Sequence, residues 1–466
     1  MSAAIVATGP TGSPGASPGT RGRARKALLA ASFGTLLEWY DFFLYGTAAA
    51  LVFPVLFFPG SDPTLAAILS FATFATGFIA RPIGGIAWAW LGDRIGRRPT
   101  LVATVALMGA ATVGIGLLPT YAQVGALAPV LLVALRMLQG AATGGEWGGA
   151  ALLAVEGSGD HGTRGRNGFR GSFIQSALYL GLVLGNLAFV IVVALVDEEA
   201  LFAWGWRVPF LASIVLLAIG VLLRRGVDET ADFTTARARD RLSRRPLLDA
   251  FRQPRGVVAV FLMRTGQNAV FYVISVFCLS YATTTLGLER WVTLTALLCG
   301  AGLAALLCPL WGRLGDRVGA VPVVIGGLAG LGVLTVPLFL ALDTASAALI
   351  IGSVTLILGT MNAATDSVQP VLYASLFPTE VRYSGITLGR EAAAVVGGGL
   401  APMLATALVA LAGHWWPVAL MMVVGAAVGI AGALVARSAA GAVGALPDAT
   451  PAAVGGLSRP SDRDGT

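Results

Sequence analysis

The sequence predicts an all-α polytopic membrane protein with twelve transmembrane helices in two pseudo-symmetric six-helix bundles. Three observations carry that expectation. The 466-residue chain is 56% hydrophobic and only 12% charged, with a mean hydropathy of +0.80, which an ordinary soluble domain of this length could not present to water. Twelve apolar runs can be drawn, each close to or longer than the ~20 residues that a hydrocarbon core about 30 Å thick requires, the longer ones suiting tilted helices. A polar hexapeptide, Leu91-Gly92-Asp93-Arg94-Ile95-Gly96, returns as Leu314-Gly315-Asp316-Arg317-Val318-Gly319 at an offset of 223 residues, close to half the chain.

Taken in order, the first half holds runs from Ala30 to Phe57, Leu65 to Trp90, Leu101 to Leu118, Leu127 to Leu153, Gly171 to Val196 and Trp206 to Leu223. The second half holds Val257 to Leu286, Trp291 to Trp311, Val323 to Leu342, Ala348 to Phe377, Tyr383 to Leu411 and Trp416 to Ala436. The chain divides into a disordered tail over 1–25, a bundle over 26–223, a linker over 224–256, a second bundle over 257–437 and a second tail over 438–466. The tails are rich in Ala, Gly, Pro and small polar residues, which cannot bury enough apolar surface to order themselves. The 61 glycines suit helices that approach closely through small-residue faces.

Charge sets the orientation. With the amino terminus inside, Arg94, Arg97, Arg98, Arg164, Arg166, Arg170, nine arginines from Arg224 to Arg255, Arg313, Arg317, Arg382 and Arg437 all fall on one side. The other side carries only Arg207 and Arg290, beside Asp197, Glu198, Glu199 and Asp343. Both termini are therefore expected to be cytoplasmic. The net charge of +7 follows from this topology and from an interfacial, lipid-facing linker, and nucleic acid is not an expected partner. Cys278, Cys299 and Cys308 lie in apolar runs without ligand spacing, and the two histidines stand apart, so no metal, cofactor or disulfide is expected.

Within the first span, no Lys, Arg or His occurs from Ala27 to Phe58, yet Glu38 and Asp41 stand in its middle. Acids inside a membrane need partners, protons or water, and are functional candidates by default. Three residues apart they share a helical face, which Tyr45 extends by a turn. Arg136 is a permanent cation in the fourth span, and Glu38, Asp41 and Glu146 are its possible mates. One reading makes Asp41 a proton acceptor coupled to Arg136, with Glu38 as second choice. The other makes Asp41 and Arg136 a purely structural pair. Glu146, among glycines, fits either a structural network or proton carriage.

Further along, Gln175 and Tyr179 form a polar pair on the fifth span. Arg264, Gln267, Asn268 and Tyr272 make the seventh span polar, and residues 264, 268, 271 and 275 follow helical spacing on a face that lines a cavity or packs. Asn362 and Asp366 on the tenth span, and Arg390 with Glu391 on the eleventh, add further polar groups. Adjacent positions on a helix do not face one another, so Arg390 and Glu391 are expected to look apart, and they either mark altered specificity or leave Arg390 to snorkel and Glu391 to pair with another helix. Arg81, before Pro82, reads as part of a structural signature. The membrane-embedded arginines tilt the cargo toward an anion, since a guanidinium clamps a carboxylate through two hydrogen bonds. Trp39, Tyr40, Phe271 and Tyr272 could instead surround a quaternary ammonium.

The repeated Gly-Asp-Arg-x-Gly loop, with Gly85 before it and Arg97-Arg98 after it, and the block Arg136-Met137-Leu138-Gln139-Gly140 followed by Gly144, resemble signatures of the major facilitator superfamily. More narrowly, Glu38 to Gly46, Arg81-Pro82-Ile83-Gly84-Gly85, Gly144-Gly145-Glu146-Trp147-Gly148-Gly149 and the stretch from Leu376 to Gly385 resemble blocks of the metabolite:proton symporter family. That resemblance implies twelve helices, a central site between the halves, alternating access and proton coupling. It leaves the cargo open among organic acids (mono-, di- or tricarboxylates or shikimate-like acids) and the osmolytes proline and betaine.

Gly92, Asp93, Arg94 and Arg97, with Asp316 and Arg317, are the expected gate, an ion-pair network that breaks when the halves rock. The second copy continues as Ala320-Val321-Pro322 and lacks the arginine pair, so its latch is expected to be the weaker one. No phosphate-binding loop, metal triad or nucleophile turn appears, which gives a pump driven by ATP or an embedded enzyme little support. A monomeric proton-coupled importer of a small metabolite is the leading reading. A non-transporting membrane sensor is the alternative from another class.

Overall fold

The structure is a computed structural model of the whole chain, and it describes residues 18–95, 97–144, 146–156, 167–225, 252–378 and 381–444. Most of the expected linker, and the outer part of each expected tail, lie outside this set. Helical backbone nevertheless begins at Pro18 and continues to Gly444, within both stretches expected to be disordered.

The helices are α1 (Pro18–Leu51), α2 (Pro63–Ile95), α3 (Arg97–Gly116), α4 (Leu127–Thr143, resumed as Glu146–Glu156), α5 (Asn167–Leu195) and α6 (Arg207–Arg225). In the second half they are α7 (Pro254–Thr285), α8 (Arg290–Val318), α9 (Ala320–Asp343), α10 (Ala347–Ser375), α11 (Arg382–Ala412) and α12 (Trp416–Gly444). Among the described residues there is no strand.

Among the described residues, nine helices are long and apolar enough to cross a membrane, and Glu198–Gly205 with Arg207–Leu222, across a 46° bend, make a tenth when taken as one span. The other two of the twelve fall short for identifiable reasons. In α1 the two acids, with Trp39, Tyr40 and Tyr45, hold the hydropathy down. In α3 the apolar stretch is limited to Val102–Gly116.

Helices pack within each half, α2 on α4 and α3 on α6 in the first, α7 on α12 and α8 on α10 in the second. The halves meet where α5 runs along α8 and α2 lies against α11. Glycine makes the closest approaches possible. A methyl group on Gly84 would sit 1.9 Å from the Ala141 carbonyl oxygen, and one on Gly140 would sit 2.0 Å from that of Gly77, so α2 and α4 touch backbone to backbone. This contact sets the separation of Arg81 on α2 from Arg136 on α4.

The second half has wider turns where its charged residues lie. π-Helical turns interrupt α7 at Val273–Phe277 and Tyr281–Thr285, α10 at Ile357–Asn362 and α11 at Ala394–Gly399. Helices α1, α2 and α5 are α-helical throughout. A π turn inserts a residue into the 3.6-residue repeat and rotates the face beyond it, so the expected face of α7 runs from Arg264 to Phe271 and Ser275 falls inside the wide turn.

Gly84→Ala should cost on the order of 1–3 kcal/mol through overpacking and lower the melting temperature of the purified protein by several degrees. Gly302→Ala, which meets nothing within 4 Å, should leave it unchanged or slightly higher. Equal melting of the two variants would contradict the backbone contact.

Candidate functional site

Eight charged side chains are buried among the described residues: Glu38, Asp41, Arg81, Arg136, Arg264, Asp366, Arg390 and Glu391. They fall into three groups between and within the halves.

The first group joins α1, α2 and α11. Arg81 donates from Nη2 to Glu38 Oε1 at 2.6 Å and from Nε to Glu391 Oε2 at 2.7 Å. Both hydrogen bonds leave the side-on edge of the guanidinium, so this edge is filled by two carboxylates from two halves of the molecule. Glu391 Oε1 also accepts from Arg390 Nη1 at 2.8 Å. The expectation that neighbours Arg390 and Glu391 look apart is corrected. Glu391 does pair with another helix as expected, reaching Arg81 across the interface with one oxygen, while its other oxygen meets its own neighbour. Arg390 does not snorkel, since it is 2% exposed and its guanidinium lies 4.3 Å over the ring of Trp147 on α4.

A second group joins α5, α7 and α10. Arg264 Nη1 donates to Gln267 Oε1 (2.7 Å), Asp366 Oδ1 (2.9 Å) and Gln369 Oε1 (3.0 Å). The other oxygen of Asp366 accepts from Tyr179 across the interface at 2.7 Å, from Asn362 at 3.2 Å and from Gln267 at 3.4 Å. Asn362 Nδ2 also donates to the Tyr179 hydroxyl at 2.6 Å. Gln175 accepts from the Trp147 indole at 3.1 Å. Asn268 Oδ1 is buried without a hydrogen-bond partner.

The third group lies inside the first half. Arg136 sits in a cage of rings, 4.3 Å from Phe42, 4.2 Å from Tyr45 and 4.9 Å from Phe74. Each such contact is worth about 0.5–2 kcal/mol. Tyr45 is held by a hydrogen bond from its hydroxyl to Thr73 at 2.7 Å. Arg136 Nη1 donates to Gln139 Oε1 at 2.6 Å, while Nε and Nη2 have no hydrogen-bond partner.

The sequence reading offered Glu38, Asp41 and Glu146 as mates for Arg136, and for the first two this is corrected: Glu38 pairs with Arg81, and Asp41 stands apart. Gln139 Nε2 donates to Thr112 Oγ1 at 2.8 Å, and the Thr112 hydroxyl, which itself donates to the Met108 carbonyl at 3.0 Å, lies beside the Asp41 carboxyl group. A neutral hydroxyl and a neutral amide therefore stand between acid and arginine. Asp41 borders a small cleft lined by Leu37, Met108, Gly109 and Ser213. Glu146 is partly buried at the start of Glu146–Glu156.

An aromatic layer closes the centre between the halves. Tyr272 packs edge-on against Phe42 (6.1 Å) and Phe78 (5.4 Å), and Phe43 against Phe271 (5.6 Å). At the end where α8 meets α9, the Asp316 carboxylate accepts from the backbone N–H groups of Gly168 (2.7 Å) and Phe169 (2.9 Å), in the first turn of α5. The second copy of the motif was expected to form an ion pair. It binds instead the free N–H groups of a helix start, which attract a carboxylate without an arginine. In the first copy, the side chains of Gly92, Asp93, Arg94 and Arg97 lie outside the described set. Arg317 is exposed. At the opposite end Arg290 bonds Glu198 at 2.7 Å, again across the halves. Contacts thus join the halves at both ends as well as at the centre.

Sequence reasoning missed several participants. Arg81 was read as signature only, Glu391 was expected to pair with another helix but was not placed in the site, and Trp147, Tyr373, Gln369, Gln139 and Thr112 were not singled out as site residues. Gln139 and Gln369 each stand three residues after a charged group, Arg136 and Asp366, a spacing that could have identified them.

The sequence profile of the Major Facilitator Superfamily matches residues 31–402. The shikimate transporter of Escherichia coli K12 is 38% identical over 411 residues, covering 86% of this chain and 92% of that protein. The proline/betaine transporter of Salmonella typhimurium LT2 is 33% identical over 401 residues, covering 83% and 78%. Among solved structures, the partially occluded inward-open form of the xylose transporter XylE from E. coli superposes with a TM-score of 0.69 at 18% identity, covering 90% of this chain and 98% of that one. By profile, relatives and fold, this multi-pass membrane protein belongs to the major facilitator superfamily.

Proposed function

We propose that the protein is a proton-coupled symporter that imports a small organic acid, a mono-, di- or tricarboxylate or a shikimate-like compound. It would sit in the inner membrane as a monomer, with both termini cytoplasmic. The observation that carries the reading is the arginine set: of four buried guanidiniums, three keep an unpartnered Nε, so the interior offers donors for an anion. The 38% identity with a shikimate transporter supports the same substrate class.

A second reading, import of proline or betaine, is favoured by the proline/betaine relatives and by the rings of Phe271 and Tyr272 at the interface. Asp41 is the proton acceptor on either reading. Ionised, it would draw Arg136 out of its ring cage, where Nε and Nη2 await an acceptor. Protonated, it leaves the arginine to the rings. Such a rearrangement shifts α1 against α4 and biases the contacts between the halves.

Uptake by proteoliposomes tests the function. With shikimate, citrate, 2-oxoglutarate, proline and betaine as radiolabelled probes, an imposed inward proton gradient should drive accumulation of at least one acid, and a protonophore should collapse it. Binding of an acid without uptake under any gradient would favour a sensor.

Asp41→Asn should abolish gradient-driven accumulation while preserving counterflow, because it mimics the protonated acid. Unchanged accumulation would rule out Asp41 as the coupling group. Arg136→Lys should lower uptake roughly tenfold or more, since an ammonium cannot bond Gln139 and also present a fork to the acid. Wild-type rates in that variant would show that a point charge suffices.

A further inference from the structure

The four buried arginines are not equivalent. Arg81 is satisfied along its side-on edge by two carboxylates, as a structural cation is. In Arg264, three acceptors crowd onto Nη1 while the buried Nε has no partner. Arg390 likewise spends Nη1 on Glu391 and leaves Nε without one. Two further donors beside them are also unsatisfied: the Tyr373 hydroxyl and Gln369 Nε2, on residues at most 1% exposed. Tyr373 lies within reach of the charges of both Arg264 and Arg390, and its ring meets Trp147, on which Arg390 is stacked. Unsatisfied donors on α7, α10 and α11 therefore neighbour one another in one half of the molecule, where a buried polar group without a partner costs about 1–3 kcal/mol.

Asp366 is held differently from Glu391. Only one of its oxygens touches Arg264. The other is secured by Tyr179, Asn362 and Gln267, three donors that would keep it satisfied if the arginine turned away.

We infer that Asp366 is an internal stand-in for the substrate's carboxylate. In the empty protein it occupies Nη1 of Arg264. An incoming carboxylate takes the side-on edge of Arg264, with Arg390 Nε, the Tyr373 hydroxyl and Gln369 Nε2 as additional donors, and Asp366 falls back on Tyr179 and Asn362. The inference rests on the organic-acid reading above and assigns the carboxylate end of the cargo to the second half. Tyr179 belongs to α5, so the exchange also changes a contact between the halves.

The test is binding to the purified full-length protein by calorimetric titration, with shikimate, 2-oxoglutarate, citrate and betaine as probes and the melting temperature of the empty protein as the folding control. Asp366→Asn removes the competing charge, so the acids that bind the wild type should bind roughly tenfold more tightly and betaine should be unaffected. Tyr373→Phe should weaken the same acids about threefold or more. It carries the test alone if Asp366→Asn does not fold.

Unchanged or weaker acid binding in a folded Asp366→Asn protein, or unchanged binding in Tyr373→Phe, overturns the inference. If acids are still accumulated by the wild type in that case, the organic-acid reading stands and only the stand-in fails. If betaine alone binds and is accumulated by the wild type, both fail together. Tighter acid binding in Asp366→Asn without proton-driven uptake by the wild type would keep the stand-in and remove the symporter.

Discussion

The pairing of one arginine with two acids from opposite halves constrains the rest of the molecule. Arg81 is buried between Glu38 on α1 and Glu391 on α11, and all three are at most 3% exposed. Removing one partner of such a pair leaves a buried uncompensated charge, a cost of about 3–5 kcal/mol. The close glycine contact of α2 with α4, and of α2 with α11, follows from the need to bring that guanidinium to both carboxylates at hydrogen-bond distance. A bond that crosses the interface also holds the halves together at the centre, so any motion that opens the centre must first provide Arg81 or Glu391 with another partner.

The distribution of regular and irregular helix is consistent with that constraint. The first half keeps Arg81 between two acids and Arg136 among rings, on helices α2 and α4 without wide turns. The second half carries its two donor-rich arginines on helices α7 and α11, each interrupted by a π turn within a dozen residues, and its acid Asp366 immediately after the π turn of α10. Wide turns have weaker, less regular backbone hydrogen bonds and are places where a helix bends at small cost. The charged exchange at Arg264 and the deformable segments therefore occupy the same helices.

How much of this was legible in the sequence depends on which physical signal carried it. Hydropathy and the alternation of arginines gave the helices and their expected sidedness, because the cost of charge in hydrocarbon is large and local. The acids of α1 announced themselves for the same reason. Pairing did not. Glu38 is near Asp41 in sequence, yet its partner is Arg81, 43 residues away, and the partner of Arg81 is Glu391, 310 residues further on. Such choices depend on how helices cross, and one sequence does not state that. Tyr373 and Trp147 look like ordinary core aromatics until the groups around them are known. The π turns were hidden too, since they obey no residue pattern and break the periodicity by which a face is read.

Charge balance ties these features to transport. Among the described residues, the buried set contains four arginines and four acids, so it is neutral when all are ionised. A neutral substrate could enter without disturbing that balance. An organic acid could not: each carboxylate it brings adds a negative charge to a medium that tolerates little excess charge. Protonating one of the four resident acids for each carboxylate restores neutrality. Asp41 is the natural recipient, because it alone of the four is not ion-paired with an arginine. On the organic-acid reading, proton coupling is then the electrostatic condition under which the cargo can occupy the centre at all.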